Sequence, residues 1–200
     1  MDELAKKLQQ ELKGEVSTDE ALREERKHDA SVFEMIPSMV VFPKDTEDLG
    51  KLISFAAKHK PQHPKLSLTP RSAGTDMSGG TITDSICVDM KYFNHIQEIG
   101  KDFAIVEPGT YYRDFEPETL NQNLILPCYT SSRLLCTVGG MVANNAGGEK
   151  SLAYGKTEKY VEELSMVLRD GKEYTFKKLT KPQLDLKLEQ SDFEGAMYEN

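Results

Sequence analysis

The sequence predicts an α+β fold, and three features of its 200 residues carry that prediction. Short β-rich apolar runs recur between residues 37 and 109 and are bounded by Pro or Gly. A helical pattern that begins at a capping residue, Asp45, follows the first of these runs. Further along the chain, Asp170-Gly171 separates two apolar runs, which is the signal of a β-hairpin. Strand and helix patterns therefore occur together in this chain.

The first 29 residues predict helices. Leucines spaced four residues apart among charged residues predict an amphipathic helix over residues 3–13. Thr18 and Asp19 can cap a second helix. We therefore expect residues 1–29 to form a helical preamble that precedes the main domain.

The remaining elements follow in order. The predicted strands occupy residues 37–43, 65–69, 86–90 and 104–109, and the predicted helices occupy residues 45–57 and 114–121. The hairpin pairs residues 161–168 with residues 174–176. Residues 179–200 are charged and indicate a connector to a missing C-terminal domain.

Composition narrows the class of protein. A hydrophobic content of 38% is enough for one substantial domain or two small lobes. The net charge of -8, with no dense basic run, argues against a nucleic-acid partner, because phosphate neutralisation requires clustered Lys and Arg. One phosphorylated cofactor remains compatible with this charge, since main-chain amides in a glycine loop can hold a pyrophosphate.

The cysteines and the N-terminal sequence indicate the cellular compartment of the protein. Cys87, Cys128 and Cys136 show no C-x-x-C spacing, so the sequence predicts neither a disulfide framework nor a metal site. Reduced thiols are typical of cytoplasmic proteins. The N-terminus lacks a signal-peptide pattern, and no run approaches the roughly 18 to 20 apolar residues that span a bilayer. We expect a cytoplasmic protein, and membrane association is not indicated.

A first glycine-rich segment, from Arg71 to Gly80, is a candidate anion site. Three of its residues are Gly, and most of the others carry short polar side chains, so several amides can face one anion. It lacks the G-K-[ST] of a P-loop and the G-x-G-x-x-G of a dinucleotide fold. An ordinary turn between strands is the alternative interpretation.

A second glycine-rich segment, from Thr137 to Gly148, is a candidate site for a flat ligand. It combines four glycines with two adjacent asparagines, namely Gly139, Gly140, Asn144, Asn145, Gly147 and Gly148. Such a loop lets a planar ring lie against the main chain while amide groups meet its polar edge. The alternative is a helix-packing site, where small residues permit close contact.

Together these segments resemble the PCMH-type FAD-binding domain of the vanillyl-alcohol oxidase superfamily. The resemblance is greatest to the group of D-lactate dehydrogenase, the FAD-binding chain of glycolate oxidase and D-2-hydroxyglutarate dehydrogenase. Three motifs match in order, namely Pro70–Thr75 with Gly79, Val106–Gly109, and Thr137–Gly148 with Tyr154-Gly155. Phe193–Gly195 also resembles the exit towards the substrate domain of that family.

The resemblance implies a domain over residues 30–178, with FAD between lobes at about 30–90 and 91–178. The residues implied to wrap the FAD pyrophosphate are Arg71, Ser72, Ala73, Gly74, Thr75, Asp76 and Gly79. Those implied to lie along the ribityl chain and the isoalloxazine ring are Thr137, Gly139, Gly140, Asn144 and Asn145. Those implied to close the pocket around the adenosine half are Gly148, Tyr154, Gly155 and Val161, with further contacts from Pro127 and Ser131.

The resemblance also implies noncovalent FAD. Residues 70–80 contain no His or Cys that could attach the flavin. In members that also use a cysteine, it lies just ahead of the second glycine motif, and Cys136 is one position away from that pattern. A packed thiol is the interpretation we prefer for Cys136.

The implied activity is oxidation of a D-2-hydroxy acid, with hydride transfer from its C2 carbon to FAD and onward transfer to an electron acceptor. The catalytic residues are unknown and are expected beyond Asn200, so this chain alone would bind FAD without turnover. Two alternatives stay open: a stand-alone FAD-binding electron-transfer module or subunit, and an enzyme like UDP-N-acetylenolpyruvoylglucosamine reductase.

Overall fold

A four-stranded sheet forms the centre of the first lobe. The computed structural model describes residues 2–199. The strands are β1 (Glu15–Ser17), β2 (Met39–Phe42), β3 (Leu68–Arg71) and β4 (Ile86–Asp89), in the spatial order β1-β2-β4-β3. β2, β4 and β3 are parallel, and β1 pairs with β2 antiparallel. The three parallel strands therefore end at one edge of the sheet, where the first glycine-rich segment begins.

Three helices cover this sheet, namely α1 (Asp2–Glu11), α2 (Glu20–Glu25) and α3 (Thr46–His59). Of these, α1 and α3 contribute to the main core. The Asp45 carboxylate caps α3 by accepting a hydrogen bond from the Asp48 amide at 3.0 Å, as the sequence predicts. The core joins side chains of α1, α3 and the sheet, including Leu8, Met39, Val41, Leu52, Phe55 and Ile86. The predicted strand at 65–69 lies about three residues later, as β3.

The N-terminal segment is packed into the first lobe. Leu4, Leu8 and Leu12 are buried in the main core, and β1, which the sequence did not predict, extends the sheet. The buried Asp48 carboxylate of α3 accepts hydrogen bonds from the amides of Lys13 at 2.9 Å and of the following glycine at 2.8 Å. Packing is therefore continuous across the predicted boundary at residue 29.

The second lobe has a smaller core. Its elements are β5 (Ile96–Ile99), β6 (Ala104–Val106), α4 (Tyr112–Asn121) and α5 (Val138–Ala143). β5 and β6 pair antiparallel, and the core contains Tyr112, Phe115, Tyr129, Cys136 and Met141. The sequence did not predict β5, because two polar residues occupy its centre. α4 begins two residues before its predicted start.

The predicted hairpin is confirmed as β7 (Glu163–Val167) paired antiparallel with β8 (Glu173–Lys177). Gly171 adopts a φ of 78° in the turn, a conformation that glycine tolerates best. Between the lobes' core elements and this hairpin lie α6 (Ser151–Tyr154) and a 3-10 turn, Thr157–Tyr160. The predicted connector contains two helices, α7 (Lys181–Leu188) and α8 (Phe193–Tyr198).

α8 packs against the hairpin. The ring of Phe193 lies 6.1 Å from that of Tyr174, and the ring of Tyr198 lies 6.2 Å from that of Phe176. The predicted connector thus contacts the hairpin through aromatic pairs. No helix among residues 2–199 is both long and apolar enough to cross a membrane.

The packing of α1 leads to a prediction. Leu8→Ala should lower the free energy of unfolding by about 2 to 5 kcal/mol, because it leaves a cavity in the main core. Leu152→Ala, at a fully exposed side chain, should change it by less than about 0.5 kcal/mol. Chemical denaturation of both variants measures the difference. Equal stabilities would show that α1 is not part of the core.

Candidate cofactor-binding site

A cavity lies between the two lobes and joins both glycine-rich segments. Residues of both lobes line it, namely Arg26, Ser72, Asp89, Met90, Lys91, Asn94, Gly109, Tyr111 and Thr137. Ser72 is the second residue of the first segment, and Thr137 begins the second segment. The two segments, 65 residues apart in sequence by the difference between those numbers, therefore face one site.

The first segment, Arg71–Gly80, is closed by the Asp76 carboxylate. This carboxylate accepts hydrogen bonds from the amides of Gly80 at 2.7 Å and Ser78 at 3.0 Å. The bond from the Gly80 amide, together with those from Ser78, holds the pKa of the Asp76 carboxyl below its ordinary value despite some opposing desolvation. Gly74 and Gly79 have φ angles of 67° and 86°, which favour glycine. The second half of the segment is therefore held by its own acidic side chain.

The first half of the segment leaves its amides open. The amides of residues 72–77 donate no hydrogen bond to any residue between 2 and 199. Main-chain amides of successive residues can together bind an anion such as a phosphate. This part of the segment therefore fits a pyrophosphate without requiring a basic side chain.

Arg71 is directed into the protein. Its side chain is buried, and its guanidinium donates hydrogen bonds to the carbonyl oxygens of His28 at 2.7 Å and Arg26 at 3.4 Å. A Cβ atom on Gly74 would collide with the same guanidinium. The predicted pyrophosphate contact of Arg71 thus competes with bonds that the guanidinium already makes within the protein.

The second segment begins as a helix instead of an extended loop. Thr137 is buried and caps α5, because its Oγ1 accepts a hydrogen bond from the Gly140 amide at 3.2 Å. The amide of Gly139 donates to the carbonyl of Pro108 at 3.0 Å. The motif Val106–Gly109 and the second glycine-rich segment are therefore joined through their main chains.

The glycines of the second segment serve different purposes. A Cβ atom on Gly139 would collide with Pro108, and one on Gly148 would collide with the carbonyl of Tyr129. Close packing, the alternative interpretation of these glycines, therefore accounts for Gly139 and Gly148. Gly140 is exposed, and a Cβ there would approach only the Thr137 hydroxyl, at 3.2 Å. Gly140 is the glycine that leaves open surface for a flat ligand.

The two adjacent asparagines also differ. Asn145 has a φ of 42°, and its side-chain amide donates to the Glu158 carboxylate at 2.7 Å while its Oδ1 accepts from the Glu158 amide at 3.0 Å. Asn144 follows α5, is exposed, and makes no side-chain hydrogen bond to any described residue. Asn144 is therefore free to meet a ligand, whereas Asn145 fastens the segment to the 3-10 turn.

Of the predicted site residues, only Ser72 and Thr137 line the cavity. Those that lie outside both the cavity lining and the two glycine-rich segments are Pro127, Ser131, Tyr154, Gly155 and Val161. Tyr154 is half exposed, and its carbonyl accepts a hydrogen bond from the Tyr160 hydroxyl at 3.0 Å. Gly155 has a φ of 87°. The structure brings together only the beginnings of the two glycine-rich segments, and the predicted adenosine contacts stay predictions.

Several of the residues that line the cavity were not identified from the sequence. Arg26 and Asp89 form an ion pair at 2.9 Å beside the cavity. Asp89 ends β4, and Ser72 follows the end of the neighbouring parallel strand, β3. Because ligands bind outside the carboxyl ends of parallel strands, the end of β4 was the signal that could have identified Asp89. No motif marks Arg26.

The three thiols are buried. Cys136 lies in the second core, with its Sγ 3.4 Å from the Thr130 hydroxyl. Burial raises the pKa of the Cys87 thiol to about 11 and also raises the pKa of Cys128. Among residues 2–199, no group of three or more His, Cys, Asp or Glu side chains could hold a metal ion.

Comparison with known proteins shows the class to which this fold and site belong. A family model described as an FAD binding domain matches residues 37–177. Because this match covers more than two thirds of the chain, the chain belongs to that family of FAD-binding domains. The open amides of the first segment and the exposed Gly140 fit a cofactor that has both a pyrophosphate and a planar ring. The predicted family, α+β fold and cofactor are confirmed.

Two curated relatives are more specific. D-2-hydroxyglutarate dehydrogenase of Pseudomonas putida is 33% identical over 162 residues, which cover 80% of this chain and 16% of that protein. Glycolate oxidase subunit GlcD of Bacillus subtilis is 29% identical over 143 residues, covering 70% of this chain and 29% of the relative. This chain therefore spans less than a third of either protein.

Solved structures share the fold. An alkyldihydroxyacetonephosphate synthase superposes with a TM-score of 0.74 at 19% identity, covering 90% of this chain and 35% of the synthase. 6-Hydroxy-D-nicotine oxidase from Arthrobacter nicotinovorans gives a TM-score of 0.72 at 20% identity, covering 86% of this chain and 38% of the oxidase. At such low identity the likeness establishes the fold alone.

The environments of Gly139 and Gly140 lead to a second prediction. Gly139→Ala should lower the free energy of unfolding by about 1 to 3 kcal/mol, because its Cβ would displace Pro108. Gly140→Ala should be neutral or stabilising by up to about 1 kcal/mol, since the site is helical and exposed. Thermal and denaturant unfolding of the two variants test this order. The reverse order would contradict the packing described for the second segment.

Proposed function

We propose that this chain is the FAD-binding part of an oxidoreductase that oxidises a D-2-hydroxy acid. The observation that carries the proposal is the family match over residues 37–177, combined with relatives named for D-2-hydroxyglutarate, D-lactate and glycolate. All three names describe 2-hydroxy acids or their oxidation. The shared chemistry is removal of a hydride from the carbon that bears the hydroxyl group and of a proton from that hydroxyl group, which leaves a 2-oxo acid.

The chain's own residues would bind and orient the cofactor. The open amides of residues 72–77 would hold the pyrophosphate, and they would need no basic side chain to do so. The exposed face around Gly140, with the unpaired amide of Asn144, would meet the flat ring and its polar edge. When bound, FAD supplies the hydride acceptor for the substrate. The protein's contribution is orientation, which reduces the entropic cost of the reaction.

We propose that the FAD is held noncovalently. The first segment contains no side chain that attaches a flavin, and the Cys136 thiol is buried in the second core. We also propose a cytoplasmic location, which the three free thiols support. Substrate choice would depend on residues outside this chain, in keeping with its 16% coverage of the P. putida relative. An electron acceptor would then reoxidise the flavin.

FAD binding leads to a third prediction. At an FAD concentration about 100 times its dissociation constant, the chain should gain about 2.7 kcal/mol in unfolding free energy, seen as a higher thermal midpoint. Gly140→Leu should keep the stability of the FAD-free chain and lose most of this gain, because the new side chain occupies exposed surface at the ring site. Acid precipitation should leave the flavin in the supernatant. Flavin in the pellet would contradict noncovalent attachment, and no thermal shift would contradict FAD binding.

Substrate oxidation leads to a fourth prediction. In a protein that joins this chain to a substrate-binding part, D-lactate, glycolate or D-2-hydroxyglutarate should bleach the visible flavin absorbance under anaerobic conditions. The L isomers of lactate and 2-hydroxyglutarate are the matched controls and should not bleach it. The FAD-loaded chain alone should show no bleaching. If none of the three acids bleaches the flavin in the joined protein, the proposed substrate class is wrong.

A further inference from the structure

Residues 26–30 precede the residues that the family model matches, yet they contact the first glycine-rich segment at several points. We propose that this stretch, the N-terminal clamp, positions the first segment for FAD. The proposal rests on FAD binding by this chain. It assigns positioning roles to Asp29 and Arg71, which would act on the cofactor through the main chain of the segment.

The first contact is made by Arg71, at the start of the segment. Its guanidinium donates to the carbonyls of Arg26 and His28, so one side chain crosses from the end of β3 to the clamp. Two acceptors suit the planar fork of an arginine, which offers several donors in fixed directions. The guanidinium also lies beneath Gly74. The path of the segment over Arg71 is therefore set by the carbonyls of the clamp.

The other contacts hold the middle of the segment and Thr81, the residue that follows it. The Ala30 amide donates to the carbonyl of Asp76 at 2.9 Å. The Thr81 hydroxyl donates to the Asp29 carboxylate at 3.3 Å, and the second oxygen of that carboxylate accepts from the Ser31 amide at 2.8 Å. The clamp thus contacts the segment at its beginning and in its middle, and it contacts Thr81 directly after the segment ends. The unbonded amides of residues 72–77 lie within the stretch that these contacts enclose.

The clamp is itself attached to the sheet. Arg26 donates from Nε to the Asp89 carboxylate at 2.9 Å, and Asp89 is only 6% exposed at its side chain. Asp89 ends β4 and lines the cavity between the lobes. The clamp can therefore transmit the position of the sheet edge to the segment.

The negative charge of Asp29 allows a positioning role to be distinguished from a purely electrostatic effect on FAD affinity. Asp29 is negative, and its neighbour Ala30 donates its amide to the carbonyl of Asp76, a second acidic residue. Two carboxylates beside an anion site oppose binding through electrostatics. Removal of Asp29 should therefore strengthen FAD binding if only charge matters. Loss of positioning predicts the opposite, because apparent affinity falls in proportion to the population of the binding-competent conformation.

The test is FAD affinity of the Asp29→Ala chain, measured by quenching of flavin fluorescence. We expect binding about tenfold weaker, which corresponds to a competent population of roughly one tenth. Asp29→Asn should restore binding to within about threefold of the parent, since the amide keeps an acceptor oxygen without the charge. In addition, phosphorus NMR at saturating FAD should show shifted pyrophosphate resonances for Asp29→Ala.

Asp19→Ala is the matched control. It removes the same charge from the N-terminal region and deletes one hydrogen bond, from the Leu22 amide at 2.9 Å, but the Asp19 carboxylate bonds neither to the first segment nor to Thr81. It should lower stability, through loss of the α2 cap, and leave FAD affinity and the phosphorus resonances unchanged.

Unchanged or tighter FAD binding by a folded Asp29→Ala chain would overturn the clamp while leaving FAD binding intact. If the parent chain binds no FAD, the proposed function and the clamp both fall. If Asp29→Ala does not fold, Thr81→Val deletes the same bond from the opposite side. Thr81→Val should weaken FAD binding severalfold, and parent-like affinity in this variant would equally overturn the clamp.

Discussion

A series of main-chain hydrogen bonds around Gly109 holds the two lobes in register. The Met90 amide donates to the carbonyl of Arg71, and the Gly109 amide donates to the carbonyl of Phe93 at 2.6 Å. The carbonyl of Pro108 then accepts from the Gly139 amide. The first and second glycine-rich segments are thus linked through residues that belong to neither. Because these bonds involve the backbone, they depend on close approach, and a Cβ on Gly109 would collide with two carbonyls.

This link explains how much of the site could be read from the sequence. Order and spacing of the glycines identified both segments, and the capping residue Asp45 correctly predicted α3. Local patterns could not show that Gly139 faces Pro108, because that contact joins residues 31 positions apart by the difference of their numbers. Nor could they show that Asn145 is occupied by Glu158. A glycine in the sequence indicates that a side chain would not fit at that position, but it does not show whether protein or ligand atoms lie there.

The elements that the sequence missed share a different cause. β5 carries Gln97 and Glu98 at its centre, and the strand is partly exposed, so apolar alternation is absent. β1 has only three residues, and pairing with β2 decides its conformation. Arg71 shows the same dependence on distant partners, because its acceptors are main-chain carbonyls of a stretch with no recognisable motif. Tertiary contacts determine these features, and intrinsic preference is too weak to predict them.

The hairpin turn has a consequence for the geometry of the whole chain. Gly171 lies against Gly50 of α3, where a Cβ on Gly50 would collide with the Gly171 carbonyl. A turn near the end of the second lobe therefore rests on a helix of the first. Because the two backbones are in contact, β7 and β8 cannot move away from α3 without opening a void between them. The chain that leaves β8 therefore starts beside α3, a helix of the lobe that carries the first glycine-rich segment.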